Sequence, residues 1–207
     1  MSIHRYLKIT TAAAAVAVST ADAKTHLRVT DSDSDTYIAL LVALATRIYE
    51  ERACTSLINQ TLTLYLDRFP YDGDGAILLP RGPVSSITTV KYYDTAGVQQ
   101  TLAAAAYRLQ AGRDVGTLKP SYGYVWPDVR EEYDGAVEVA YIAGYGAAAS
   151  NLPELPIHAI KLLTAHFFEN RASVEAGDAT STLSHDVPET FDALVNLDPH
   201  RYMPQQE

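Results

Sequence analysis

The spacing of apolar residues changes period twice along this chain, and that change limits the folds open to it. Ile38, Leu41, Val42, Ala45, Ile48 and Tyr49 recur at i, i+3, i+4, i+7 and so line one stripe of an α-helix. From Thr61 the period drops to two: Leu62, Leu64 and Leu66 alternate with Thr63 and Tyr65 and share one face of a strand. Helical spacing returns only after Pro153 and Pro156, with Ile160, Leu162, Leu163, Phe167 and Phe168. An apolar helical stripe needs a partner, so the helices must pack on each other across the strands between them. The expected fold class is α+β: a small helical bundle of about four helices with an antiparallel β-rich insertion between the second and third. Residues 1–54 and 150–200 are assigned to a discontinuous helical core and 55–149 to the insertion. The segments 173–186 and 201–207 are polar and read as flexible.

Local signals set the expected boundaries. Ser19-Thr20-Ala21-Asp22 has the form of a capping box and predicts a short helix over Ala21–Arg28. Asp31, Asp33 and Asp35 oppose the positive end of a second helix, which ends near Cys54. Strands are expected at Thr61–Leu66, Ala76–Leu79, Ile87–Tyr93, Val98–Leu102, Tyr107–Gln110, Val115–Lys119 and Val137–Tyr141. Asp94-Thr95-Ala96-Gly97 reads as a hairpin turn. A third helix is expected over Ile157–Arg171 and a fourth over Pro188–Leu197.

The N-terminal region admits two readings. His4, Arg5 and Lys8 precede Thr10–Val18, and Ala21-Asp22-Ala23 has a small-x-small form, which superficially matches a secretory leader. The middle of that stretch is mostly Ala and Thr, which favours an extended, partly apolar arm leading into a helix. No run of about 18 apolar residues exists, so no membrane-spanning helix is expected.

Composition excludes some functions and leaves others. At 207 residues, with 47% apolar and 20% charged, the chain is globular rather than disordered. A net charge of −9 makes it a poor grip for nucleic acid, which is held by Lys and Arg displacing phosphate counterions. The same charge suits the wall of a channel through which DNA slides. Fourteen tyrosines favour half-buried surfaces and protein contacts. Cys54 is the single cysteine, so neither an intrachain disulfide nor a cysteine-based zinc site can form.

Candidate chemistry is sparse. Asp31, Asp33 and Asp35 resemble the opening of a calcium loop, but Thr36 stands where that loop needs glycine and Val42 where it needs glutamate. His166 and Glu169, three apart on one helix, could share a metal-facing side, yet no H-E-x-x-H pattern or second ligand pair accompanies them. Gly144-Tyr145-Gly146 is no phosphate loop, and no G-x-S-x-G elbow is present. The expected catalytic, cofactor and metal assignments are therefore none. Two alternatives stay open: a metal-dependent hydrolase built on His166 and Glu169, and a secreted or virion-surface binding module using Tyr and Trp of the β insertion.

An ordered set of segments resembles the head–tail connector (adaptor) family of tailed bacteriophages, in its branch with a β-rich insertion. It runs from Ala21-Asp22-Ala23-Lys24-Thr25-His26-Leu27-Arg28-Val29 and the helix from Asp35 to Glu51. It continues through Leu57–Leu64, Leu66-Asp67-Arg68-Phe69-Pro70, and Ile77-Leu78-Leu79-Pro80-Arg81-Gly82-Pro83. Tyr107-Arg108-Leu109, Pro120, Tyr122-Gly123, Trp126-Pro127 and Val139–Gly146 follow. Pro156-Ile157 and Ala165–Arg171 complete it; after Val174 the chain departs from the pattern. The resemblance implies a non-enzymatic virion protein of the neck, assembled in the host cytoplasm. It would form a ring, typically dodecameric, that binds the portal, meets a stopper or tail-completion protein, and passes DNA through its lumen without specific binding. No membrane is involved. Tyr122, Trp126, Tyr141, Tyr145, Phe191 and Tyr202 are the candidates for subunit or partner contacts.

Overall fold

The computed structural model describes residues 5–71, 73–111, 116–130, 133–170 and 188–198. The expected flexible segments 173–186 and 201–207, with Val115, Arg171 and Tyr202, lie outside them.

The fold is α+β, and the helices pack across the strands as the periodicity requires. Helix α1 (Thr20–Leu27) starts where Ser19 Oγ accepts from the Asp22 N–H at 3.0 Å. The Asp22 carboxylate takes the Ser19 hydroxyl (2.6 Å), so only half of the expected capping box forms. Helix α2 (Asp35–Ala53) begins later than its three aspartates suggested. Asp31 and Asp33 stay in the exposed turn before it, and Asp35 pairs with Lys24 at 2.5 Å. Ile38, Leu41, Val42, Ala45 and Tyr49 are buried as expected, joined by Ala53. Helix α3 (Glu154–Glu169) carries Pro156 in its first turn, and α4 (Glu189–Asn196) closes the layer. Ile38, Val42, Ala45, Tyr49, Leu57, Ala159, Ile160, Leu163, Phe191 and Val195 share one core. Among the described residues, no helix is long and apolar enough to cross a membrane.

The strands form two antiparallel sheets. The larger is ordered β1-β2-β8-β4-β5, from β1 (Arg5–Thr11), β2 (Gln60–Leu66), β8 (Val137–Ala143), β4 (Val84–Tyr93) and β5 (Gln99–Thr101). The smaller is ordered β3-β7-β6, from β3 (Ile77–Leu79), β7 (Gly116–Pro120) and β6 (Tyr107–Gln110). Leu62, Leu64 and Leu66 meet Val137, Val139 and Tyr141 on the larger sheet and Ile77, Leu79 and Leu118 from the smaller. The expected turn after β4 is present: Asp94 Oδ1 accepts from Ala96 N (3.0 Å) and Val98 N (2.9 Å), with Gly97 at φ +80°.

One strand was not expected. Residues 5–11, which the periodicity left with the helices, are β1, paired antiparallel to β2 from Arg5↔Leu66 to Thr11↔Thr61. Its burial is slight, since only Leu7 is half-buried. Backbone pairing, the Tyr6–Tyr65 ring stack at 4.6 Å and the Thr10–Thr63 hydroxyl contact at 2.7 Å hold it. No alternating apolar pattern exists there for a sequence reading to find. Ala21-Asp22-Ala23 lies inside α1 with Ala23 buried, so cleavage after it would remove β1 and the first turn of α1.

The two layers join through interlocked backbone. The Gly82 carbonyl accepts from Ser56 N (3.0 Å) and Thr55 Oγ1 (2.5 Å). Asn59 N donates to Gly146 O, Tyr145 N to Leu57 O and Gly144 N to Pro83 O, at 2.9, 3.0 and 2.9 Å. Tyr141 Oη donates to Pro80 O at 2.6 Å, and Tyr49 Oη donates to Asp198 Oδ2 at 2.7 Å.

Two predictions follow from this junction. Gly144 has φ +141°, and a Cβ there would stand 2.5 Å from Asn59 N. Gly144→Ala should therefore cost about 2–4 kcal/mol, read as a lower denaturant midpoint with an unchanged slope. Burial pushes the phenols of Tyr49, Tyr141 and Tyr145 well above the ordinary tyrosine value, and the Asp198 carboxylate adds to this for Tyr49 and Tyr145. A raised folded-state value means that stability is fully present below about pH 10 and is lost as pH rises beyond it. Ultraviolet difference absorbance should show these three tyrosines ionising only together with unfolding. Their ionisation in the folded protein at the ordinary pH would refute the burial argument.

Candidate assembly surfaces

Five of the six candidate aromatic residues lie among the described residues, and they divide sharply. Trp126 is 6% exposed, stacked on Phe69 with ring centroids 4.8 Å apart, and its Nε1–H donates to Gly75 O at 2.7 Å. Tyr141 is fully buried in the β core. Phe191 is fully buried against the edge of the Tyr49 ring, centroids 6.1 Å apart. These three are core residues of the chain itself, and the expected partner role does not fit where they sit. The reason is that a large ring fills a core as well as a contact, and sequence alone does not separate the two. Tyr145 is half-buried, and its hydroxyl donates to Asp198 Oδ1 at 3.2 Å. Among the described candidates, Tyr122 alone keeps its whole ring in solvent, at 104% relative exposure. Tyr124 and Val125 beside it are also exposed, so the loop after β7 presents an apolar tip.

The polar candidates do not converge. Among the described residues, no group of three or more His, Cys, Asp or Glu could hold a metal ion. Glu169 is exposed, while His166 lies against Phe167 and within 3.4 Å of the Asn170 side chain at the end of α3. His26 and His158 meet edge to face at 6.3 Å between α1 and α3. Asp31 Oδ1 accepts from the Asp33 N–H (3.1 Å), a local turn contact.

A second apolar surface escaped the sequence reading. Leu40 and Leu44 project from α2 at 63% and 44% exposure, off its buried stripe. Next to them a groove of ≈ 570 Å³ runs between α2 and the segment 9–18, lined by Ile9, Val16, Ala39, Ala43 and Arg47 among others. Beyond Arg81 a second recess of ≈ 280 Å³ lies between β1 and β3, lined by Leu7, Leu64 and Leu78 with Arg5 at its rim. Both flanking strands are sheet edges. The acids at this surface are engaged within the chain. Glu51 pairs with Arg81 at 2.5 Å. Glu50 accepts from Leu57 N at 2.9 Å; burial pushes its carboxyl upward, and that hydrogen bond and Arg81 oppose the shift. The available signal was the Leu40/Leu44 pair, one turn apart and outside the stripe that Ile38 and Val42 define.

The architecture has counterparts among solved structures. A chain of the virion of a native gene transfer agent particle superposes with TM-score 0.75 and 25% identity, covering 97% of this chain and 98% of that one. The chain is similar to a subunit of a gene transfer agent neck. A chain from the neck of an empty gene transfer agent particle, with C6 symmetry, matches at TM-score 0.72 and 26% identity over 92% of this chain and 93% of that one. One from the neck of the native particle, with C12 symmetry, matches at 0.69 and 25% over the same shares. The likeness to these neck subunits spans both layers and the junction. No protein-family profile matches the chain, and no curated protein does.

The division between core and surface rings is directly measurable. Trp126→Ala should cost about 3–5 kcal/mol, because it empties the Phe69 stack and orphans the Gly75 carbonyl. Tyr122→Ala should stay within about 0.5 kcal/mol of the parent. Equal effects in chemical denaturation would refute this assignment.

Proposed function

We propose that this chain is a non-enzymatic structural subunit of the neck of a tailed phage or a phage-like particle. In this reading it is a head–tail connector: a ring of twelve copies under the portal that extends the DNA channel and offers its far face to a stopper or tail-completion protein. The observation that carries the reading is the near end-to-end likeness, TM-score 0.75 over 97% of the chain, to a protein of a gene transfer agent virion. Similar chains come from neck structures computed with C6 and C12 symmetry, which supports the ring. A closed ring needs a heterologous interface, in which one face of each copy meets a different face of the next. Exposed apolar surface at two separate places, on α2 and at the Tyr122 loop, gives the chain material for more than one contact. The net charge of −9 suits a conduit through which DNA moves without adhering. A single cysteine and no disulfide suit assembly in the host cytoplasm. Tyr122 is proposed as a partner contact and Tyr145 as part of the support beneath one.

Cryo-electron microscopy of purified particles tests the reading. Twelve copies of this fold are expected between the head and the tail. Absence of the chain from mature particles, or its presence only at the tail tip, overturns the proposal.

A further inference from the structure

Among the described residues, β1 and β3 are both edge strands, and an apolar floor between them (Leu7, Leu64, Leu78) faces a recess. Past Arg81 this recess meets the groove under Ile9 and Val16, whose lining on α2 includes Ala39, Ala43 and Arg47, sequence neighbours of the exposed Leu40 and Leu44. Three features that are each costly for a lone chain thus adjoin: unpaired strand edges, an apolar trough, and a helix face with two leucines in water. β1 adds a fourth, because it is ordered as a strand while burying almost nothing of its own.

We propose that this continuous face, from the β1–β3 opening to the outer side of α2, receives a second copy of this chain and is one half of the ring interface. The inference rests on the neck reading above and names the surface that reading requires. Charge argues for a copy of the same chain as the occupant. Arg5, which lines the recess, and Arg47, which lines the groove, are exposed and in no ion pair among the described residues. The acids that line it, Glu50 and Glu51, are spent on Leu57 N and Arg81. The face therefore offers uncommitted positive charge on a protein whose net charge is −9, so the rest of the same molecule is its electrostatic complement. Asp31 and Asp33, exposed before α2 and paired with no cation among the described residues, exemplify that acidic surface. A face that is cationic at its rim and meets an acidic one is heterologous, as ring closure demands.

Photo-crosslinking in assembled particles tests this. A benzophenone amino acid replaces Leu44 in one variant and Leu78 in another; both side chains are exposed, so the fold tolerates the change. Irradiated particles should yield a covalent species at twice the 22.6 kDa mass that contains only this chain. Crosslinks to a different protein, or none from either position in particles that contain the chain, overturn this inference and leave the neck reading standing. Absence of the chain from particles overturns both. As a second measurement, Arg5→Glu with Arg47→Glu should leave the thermal midpoint of the purified protein unchanged. It should lower incorporation into particles by on the order of tenfold, since it sets like charges against each other. Unchanged incorporation of a folded double variant overturns the charge argument and the proposal with it.

Discussion

Everything in this molecule depends on the place where the chain leaves its helical layer and later comes back to it. Three stretches that are far apart in sequence, 55–59, 80–83 and 144–146, exchange backbone hydrogen bonds within one small volume. Buried peptide groups must be paired, and here no helix or strand ladder is available to pair them. The three stretches therefore satisfy one another. Gly144 adopts a backbone conformation suited to glycine because Asn59 passes within contact distance of where a Cβ would stand. The long β-rich insertion is thereby fixed to the helices by both of its ends and by its own middle.

Once the junction is fixed, the two cores on either side can differ in kind. The helical core is knit by Tyr49 of α2, which touches Phe191 of α4 by its ring edge and Asp198, just beyond α4, by its hydroxyl. The Arg52–Asp192 pair repeats that tie at the surface, where such pairs contribute little. The β core is knit by Trp126 and Phe69, whose rings stack within it. Among the described residues, neither core closes the side between β1 and β3. For a protein that works alone such an opening is a liability, whereas in a ring it is a socket.

The sequence was informative wherever one face of an element is buried. Ile38 to Tyr49, Leu62 to Leu66 and Val137 to Tyr141 all announced their periods because a core lies on one side and a wetter environment on the other. It was silent on β1, whose residues bury so little that no alternation exists. It misjudged Trp126, Tyr141 and Phe191, because amphipathic rings satisfy a core and an interface by the same chemistry. Leu40 and Leu44 lie off the stripe that Ile38 to Tyr49 define, and only their exposure in the structure marks them as surface leucines.

By itself, then, the sequence determined the α+β class, the order of elements from α1 onward and the hairpin at Asp94–Gly97, and it carries no recognisable catalytic motif. All of these are written in local period, capping and turn chemistry. Only the tertiary structure decided that residues 5–11 join the sheet, that three of the marked rings are core, and that an apolar face stays open between β1, β3 and α2. The physical reason is that burial belongs to pairs of distant segments. A strand edge is free, and a leucine exposed, only with respect to what the rest of the chain has failed to cover.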